Sequence, residues 1–240
     1  MPLVCRSALC GKPKASFDRP DLNQRVQGRC PNGIAGTHPD TKPALRRALR
    51  ARRRMIRGRA ARMAAAIAAV RVTRLPHWRR AGHVALYHPA DGEINTRPLI
   101  EAAWRAGKQV YLPCIARPRG APGQDVRRRA GGLVFRHYAP GTPLRAGAFG
   151  IAAPVGPRAS RRPVAGIDLL IMPLVGFDAA GHRLGMGGGF YDRTLAGRGR
   201  QRRPRTLGLA YAGQQQPVIP HDPWDHPLDL VVTDRAVHFC

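Results

Sequence analysis

The chain has 240 residues, 43% of them hydrophobic, with 41 lysines and arginines against 14 aspartates and glutamates and a formal charge of +27. That length and apolar fraction suit one ordinary domain with some excess and exclude a fibrous or wholly disordered chain. The longest apolar run, Ala64–Val70, is short and flanked by arginines, which excludes a helix of membrane-spanning length.

Only four of the cations are lysine (Lys12, Lys14, Lys42, Lys108), and the arginines come with abundant alanine, glycine and proline. A GC-rich genome imposes that pattern on surface positions, so most of the charge is read as compositional and a fraction as serving anionic ligands. The run RRALRARRRMIRGR (Arg46–Arg59) favours a nucleic-acid binder. Aromatics at 6% and the lack of a stacking motif or zinc site count against one, so no specific nucleic acid is expected. The five cysteines form no CxxC or Cys/His metal spacing, and MPLVCRSALCGKP lacks a signal-peptide apolar stretch. A soluble protein in a reducing cytoplasm is expected, without membrane association.

Residues 1–39 show neither helical nor strand periodicity and are read as a disordered N-terminal extension, with a single domain over 40–240. Leu45, Leu49 and Ile56 then recur at helical spacing behind a cap at Asp40 or Thr41. A second, alanine-rich helix is expected from Ala60 to Leu75, ending before Pro76. Strands and helices alternate after that: a strand over His83–His88, the turn PADGE, a helix over Thr96–Ala106 capped by Asn95 or Thr96, and a strand over Gln109–Pro113. Arg117–Gly131 reads as a loop, Gly132–Tyr138 as a strand, and Ile167–Pro173, Arg205–Ala212 and Leu228–Asp234 as apolar strands. Strands without strict alternation are covered on both faces, so the fold class is α/β: a single layered domain with a mostly parallel sheet and N-terminal helices. Trp78 and Trp104 are assigned to the core, and His221 and His226 to the surface.

RLGMGGGFYDR (Arg183–Arg193) places four glycines in five residues between an apolar strand and the start of a helix. Beyond the carboxyl end of a strand, such a loop lets backbone N–H groups approach phosphate oxygens closely. Arg183 offers a fork of donors suited to phosphate, and Asp192 a hard oxygen of the kind magnesium uses beside a nucleotide. The stretch fits neither GxxxxGK[ST] nor GxGxxG. A flexible surface loop is the alternative reading.

GFDAAGHRLGMGGGFYDR (Gly176–Arg193) resembles the signature of the 5-formyltetrahydrofolate cyclo-ligase family, roughly G-[FV]-D-x-x-G-x-R-L-G-x-G-x-G-[YF]-Y-D. KPALR (Lys42–Arg46), GEINT (Gly92–Thr96), FGIAAP (Phe149–Pro154) and DHPLDLVVTD (Asp225–Asp234) are similar to its other motifs and fall in the same order, so agreement runs from about Lys42 to Val237. The resemblance implies a layered fold of the CoA-transferase-like kind. It also implies an ATP- and Mg²⁺-dependent ligase that turns 5-formyltetrahydrofolate into 5,10-methenyltetrahydrofolate, and a monomer is expected. Carried over, Lys42, Arg46, Arg183 and the stretch Leu184, Gly185, Met186, Gly187, Gly188, Gly189, Phe190 and Tyr191 would bind ATP. Glu93, Tyr87, Met186 and Phe190 would meet the folate, with Glu93, Arg183 and Tyr191 as the catalytic set. Asp192 and Asp225 would hold magnesium, with Asp222 an alternative to Asp225. The chain departs from the family at Met186, where many members carry a basic residue, at Phe190 for a frequent tyrosine, and at Ala153, where a polar residue often precedes the proline. These departures bear on folate affinity.

Overall fold

The computed structural model describes residues 41–115, 131–147, 152–157, 160–196 and 204–240. The extension expected over 1–39 and, save its last residue, the loop expected over 117–131 lie outside them.

Helix α1 (Lys42–Met55) starts where the sequence places it. Thr41 is extended and its Oγ1 accepts the Ala44 N–H at 3.4 Å, while Leu45 and Leu49 are buried one turn apart. This is an N-cap hydroxyl satisfying one of the orphan donors of a first turn. Helix α2 (Gly58–Arg74) buries Ala64, Ala65, Ala68, Ala69 and Val72. It stops at Leu75, which is extended (φ −67°, ψ 140°) because Pro76 disfavours helix in the residue before it, and Pro76 opens the short α3 (Pro76–Arg80).

The strands follow as β1 (His83–Ala85), β2 (Gln109–Ile115), β3 (Leu133–His137), β4 (Leu144–Ala146), β5 (Ala152–Pro154), β6 (Arg161–Arg162), β7 (Leu169–Pro173), β8 (Gly176–Phe177), β9 (Arg183–Leu184), β10 (Arg205–Ala210), β11 (Leu230–Thr233) and β12 (Val237–Phe239). Helix α4 (Arg97–Arg105) lies between β1 and β2, and α5 (Phe190–Leu195) follows β9. The main sheet has the order β12-β11-β10-β7-β1-β2-β3-β6. Its five central strands are parallel, and β12, β3 and β6 join antiparallel at the edges. The mostly parallel layered sheet is the architecture expected.

Alternation explains why these strands read as continuous apolar runs. Leu169 and Ile171, Val110 and Leu112, and Leu230 and Val232 feed the core beneath α2, α3 and α4. Their neighbours Leu170 and Met172, Tyr111, and Val231 feed a second core on the opposite face with Phe135 and Leu195. Successive side chains of a strand point to opposite faces, so burial of both demands apolar residues at every position. Trp78 is buried in the first core, and Trp104 packs against it with Nε1 donating to Tyr138 O at 2.9 Å.

One local expectation is corrected, and one pair of alternatives is decided. The strand expected over His83–His88 pairs only through Ala85. Past that point Leu86 N donates to Tyr111 O, and the Tyr87 carbonyl turns to accept Thr96 Oγ1 at 2.7 Å. Thr96 stands at the start of α4 but does not cap it, because its buried hydroxyl is engaged by Tyr87. Asn95 Oδ1 instead accepts the Arg97 N–H at 3.0 Å.

β1 pairs with β2 on one side and β7 on the other. The chain proceeds from β1 to β2 and later from β7 to β10, so the order reverses between β1 and β7. A crevice opens at such a switch point, beyond the carboxyl ends of the strands. No helix among the described residues is long and apolar enough to cross a membrane.

Candidate active site

The segments leaving β1 and β7 are joined by α1. Lys42, Arg46, Leu49 and Arg53 share one face of this helix by their three- and four-residue spacing. Leu49 packs with Leu45, Val175, Leu184 and Ile219 in a small core of its own. That core seats α1 on the β8–β9 hairpin, from which the glycine stretch issues.

In that stretch the backbone is left-handed at Gly187 (φ 91°) and Gly189 (φ 61°), conformations that L side chains rarely adopt. A Cβ added at Gly185 would meet nothing within 4 Å, and one at Gly187 would find only the Arg46 guanidinium, from 3.6 Å. The loop is thus open at Gly185 and, at Gly187, bordered by Arg46 at ordinary contact distance. Arg46 Nε donates to Gly185 O at 2.8 Å and ties α1 to the loop. Met186 is exposed. Phe190 lies beneath Arg193, whose guanidinium stands 5.0 Å from the ring and donates to Gly188 O. Leu184 contributes only backbone here, since its side chain is buried in the small core.

Arg183 is buried at the base of the loop. Its Nη2 donates to Asp192 Oδ1 at 2.5 Å and its Nη1 to His226 O, while His226 N donates back to the same Asp192 oxygen at 3.2 Å. His226, assigned to the surface, therefore enters the site through its backbone. Lys42 Nζ lies 2.5 Å from Asp222 Oδ2 and 2.9 Å from Asp225 Oδ2. Asp225 Oδ2 also accepts the Asp222 N–H at 2.9 Å, closing the turn that holds both carboxylates. Burial works against the Lys42 charge, but the hydrogen bonds it donates to Asp222 and Asp225 outweigh it and hold the ammonium above its usual range. The same contact holds the Asp225 carboxyl below its usual range against burial.

Glu93 stands on the turn after β1, largely buried. Its Oε2 accepts the Ala90 N–H at 3.0 Å, and its Oε1 lies 3.7 Å from Arg53 Nη1. Burial pushes its carboxyl up to about 6, against the pull of the Ala90 N–H and Arg53. Tyr87 is buried, with its hydroxyl donating to Ile94 O at 2.9 Å. Burial, with the Glu93 charge adding to it, raises both the Tyr87 and the Tyr191 hydroxyls above their usual range. The sequence assigned Tyr87 and Glu93 to the folate and Tyr191 to the nucleotide loop; here the Glu93 charge reaches both tyrosines.

Three residues of this site escaped the sequence reading. Arg53, read as part of a compositional run, is fully buried and donates to Asp91 O, Asp91 Oδ2 and Leu174 O. Asp91 receives Arg50 and Arg54 as well, so three arginines of the basic run converge on one carboxylate. Gln214 Nε2 donates to Leu174 O and Val175 O, covering the end of β7 from the far side. The available signal was the shared face of Lys42, Arg46 and Arg53. Asp178, in the signature but without a role in the sequence reading, accepts Ala180 N, His182 N and Ile219 N and so fixes the hairpin turn.

The donor set suits a magnesium nucleotide. Lys42 and Arg183 are paired with the hard carboxylate oxygens of Asp222, Asp225 and Asp192, and Arg46 borders the glycine loop beside them. Among the described residues no group of three or more His, Cys, Asp or Glu is gathered for a metal. A magnesium ion beside a nucleotide needs only one or two carboxylates, with phosphate oxygens and water completing the shell.

The model of the 5-formyltetrahydrofolate cyclo-ligase family matches residues 38–234. The chain is 41% identical over 170 residues to the 5-formyltetrahydrofolate cyclo-ligase of Escherichia coli, a match covering 71% of this chain and 87% of the relative. It is 41% identical over 155 residues to the cyclo-ligase of Haemophilus influenzae, covering 64% and 77%. The fold is similar to the NMR structure of Aquifex aeolicus 5,10-methenyltetrahydrofolate synthetase, with a TM-score of 0.67, 29% identity and coverage of 82% and 92%. Matching from α1 through β11, with the glycine stretch and both aspartate turns inside the match, the chain belongs to the 5-formyltetrahydrofolate cyclo-ligase family.

Proposed function

We propose that the chain converts 5-formyltetrahydrofolate and ATP into 5,10-methenyltetrahydrofolate, ADP and phosphate. The observation that carries this reading is the open glycine stretch, left-handed at Gly187 and Gly189 and bordered by Arg46, lying across α1 from the buried Glu93. On this reading the protein acts as a monomer in the cytoplasm.

The chemistry explains the residue types. The formyl oxygen on N5 is a poor leaving group, and transfer of the γ-phosphoryl group of ATP onto it makes it a good one. N10 then bonds to the formyl carbon and loses its proton, and the C–O bond breaks with release of phosphate. Phosphoryl transfer asks for positioning and positive charge at the phosphate oxygens more than for covalent catalysis. The amides of Gly185–Gly189 with Lys42 and Arg46 supply that charge, and Arg183 holds the loop and Asp192 in place. Magnesium, when bound, neutralises charge on the phosphate oxygens, and Asp192 and Asp225, with Asp222 beside them, are the donors suited to hold it. Lys42 leaves the two carboxylates less repulsive toward an anionic nucleotide. Ionised Glu93 accepts hydrogen bonds from the pterin and orients the formamide, while Tyr87 and Tyr191 keep water from its carboxylate. Met186 and Phe190 offer apolar contact on the folate side.

An absorbance assay for the methenyl product, run with and without ATP and magnesium, tests the reading. Product formation that requires both is expected. No product from 5-formyltetrahydrofolate, or turnover independent of ATP, would overturn it.

A further inference from the structure

Arg53 has no surface exposure, and a buried guanidinium needs every donor answered. It sits beneath the turn that carries Glu93, with Nε and Nη2 on Asp91 O (3.1 and 2.9 Å), Nη2 on Asp91 Oδ2 (3.0 Å) and Nη1 on Leu174 O (3.1 Å). That turn is unusual in two further ways. Asp91 is the one non-glycine residue with positive φ (50°) among the described residues, and Gly92 follows at φ 77°. A Cβ at Gly92 would stand 3.4 Å from Arg54 Cα and 3.5 Å from Arg53 O, so the turn lies against the backbone of α1. Two left-handed residues in succession persist where surrounding contacts over-determine them. Here Arg50, Arg53 and Arg54 all bind Asp91 from one helix.

We infer that Arg53 is a positioning residue for Glu93: through Asp91 it fixes the turn, and through Nη1 it sets the direction and charge of the Glu93 carboxylate. The inference rests on the reading of Glu93 as the contact to the formyl end of the folate. Arg46 and Arg53 stand on one face of α1, with about 10 Å of helix between them. The helix therefore fixes the separation between the phosphate loop, held by Arg46, and the Glu93 turn, held by Arg53. A reaction joining the γ-phosphate to the formyl oxygen needs that separation fixed, because small misplacements of reacting groups are costly.

The charged and titratable groups facing Glu93 come from every element around it. Arg53 approaches from α1, Asp91 from the same turn, Tyr87 from the end of β1 and Tyr191 from α5. Tyr211 and Arg183 act one step further out, on Tyr87 and Tyr191. Arg53 favours the ionised carboxylate and Asp91 disfavours it. Their removal should therefore shift the acidic limb of kcat/KM in opposite directions, which a merely structural role for the turn would not do.

The test compares Arg53→Met, Arg53→Lys and Asp91→Asn in the full chain, by pH profile and by KM for 5-formyltetrahydrofolate and for MgATP. Asparagine tolerates the left-handed backbone and keeps the carbonyl that Arg53 binds. Arg53→Met should move the acidic limb to higher pH and raise the folate KM about tenfold with little change in the ATP KM. Arg53→Lys should return the limb toward the wild-type position, because the charge is restored, while the folate KM stays raised without the guanidinium fork. Asp91→Asn should move the limb to lower pH. Limbs that stay put, or move in the same direction for Arg53→Met and Asp91→Asn, overturn the inference. Should Arg53→Met fail to fold, the direction of the Asp91→Asn limb decides alone. Glu93→Gln is run alongside. A wild-type profile there removes the reading of Glu93 itself, whereas loss of the limb in Glu93→Gln with unmoved limbs in the other variants removes only the role of Arg53.

Discussion

Gly187 shows at the residue scale why the loop is built of glycine. With φ at 91°, any L side chain there is strained, by roughly 1–3 kcal/mol, while the nearest group, the Arg46 guanidinium, is at ordinary contact distance. Gly187→Val should therefore weaken ATP binding severely through backbone distortion and leave 5-formyltetrahydrofolate binding less affected, since Glu93 stands on another loop. Calorimetric titration of each ligand checks it; wild-type ATP affinity would rule out the phosphate cradle. Glu93 offers a second prediction, in stability. Burial raises its carboxyl from an ordinary 4.5 to about 6, so folding favours the protonated form. The stability associated with that form is complete below about pH 4.5 and is lost as pH rises through about 6, a difference of roughly 2 kcal/mol. Glu93→Gln should accordingly be more stable than the natural chain at about pH 8, with the gain fading toward about pH 5, while turnover falls. Urea unfolding at both pH values measures this, and a variant no more stable at the higher pH would show that the carboxylate is well solvated in the fold.

At the scale of elements, α1 carries more of the site than any other helix. Its start was legible from a cap at Asp40 or Thr41 and the leucine spacing, because capping and periodicity are local. Its cargo was not: the partners of Lys42 are Asp222 and Asp225, and that of Arg53 is Asp91, all distant in sequence. Leu49 seats the helix against Val175, Leu184 and Ile219. Leu49→Ala should cost about 2–5 kcal/mol of stability, as truncation of a buried leucine does. In the molecules that remain folded, the KM values for ATP and folate should rise together, because one tilt of α1 displaces Arg46 and Arg53 at once. An effect on one substrate alone would show that the two ends of the helix move independently. β1 illustrates the converse. Its apolar run predicts a longer strand than forms, because the run continues into the segment that Thr96 draws away from the sheet.

The charge of +27 belongs to the whole molecule. Reading most of it as compositional omitted a third use, internal ties. Arg50, Arg53 and Arg54 bind Asp91, Arg46 binds Gly185, Arg183 binds Asp192, and Arg71 binds the carbonyl of Arg235. The remaining arginines still attract polyanions. Association with duplex DNA or RNA should be weak, indifferent to sequence and steeply dependent on salt through counterion release. Filter binding across a salt series measures the slope, and sequence-selective binding that survives physiological salt would restore the nucleic-acid reading.

The sequence by itself determined what short-range physics encodes. Apolar residues at every position of a strand required cover on both faces, glycines marked the backbone that must turn left-handed, and the ordered motifs from Lys42 to Asp234 identified the family. Only the tertiary structure decided which charges meet. Sheet order brings the ends of β1 and β7 together, and α1 crosses them. Arg53 thereby lies beside Glu93, whose charge reaches Tyr87 and Tyr191, although no spacing in the chain announces either. Local conformational preference acts over a few residues, whereas the environment that buries Glu93 and raises its carboxyl includes α1, distant in sequence, which reaches it only when the sheet and helices have assembled.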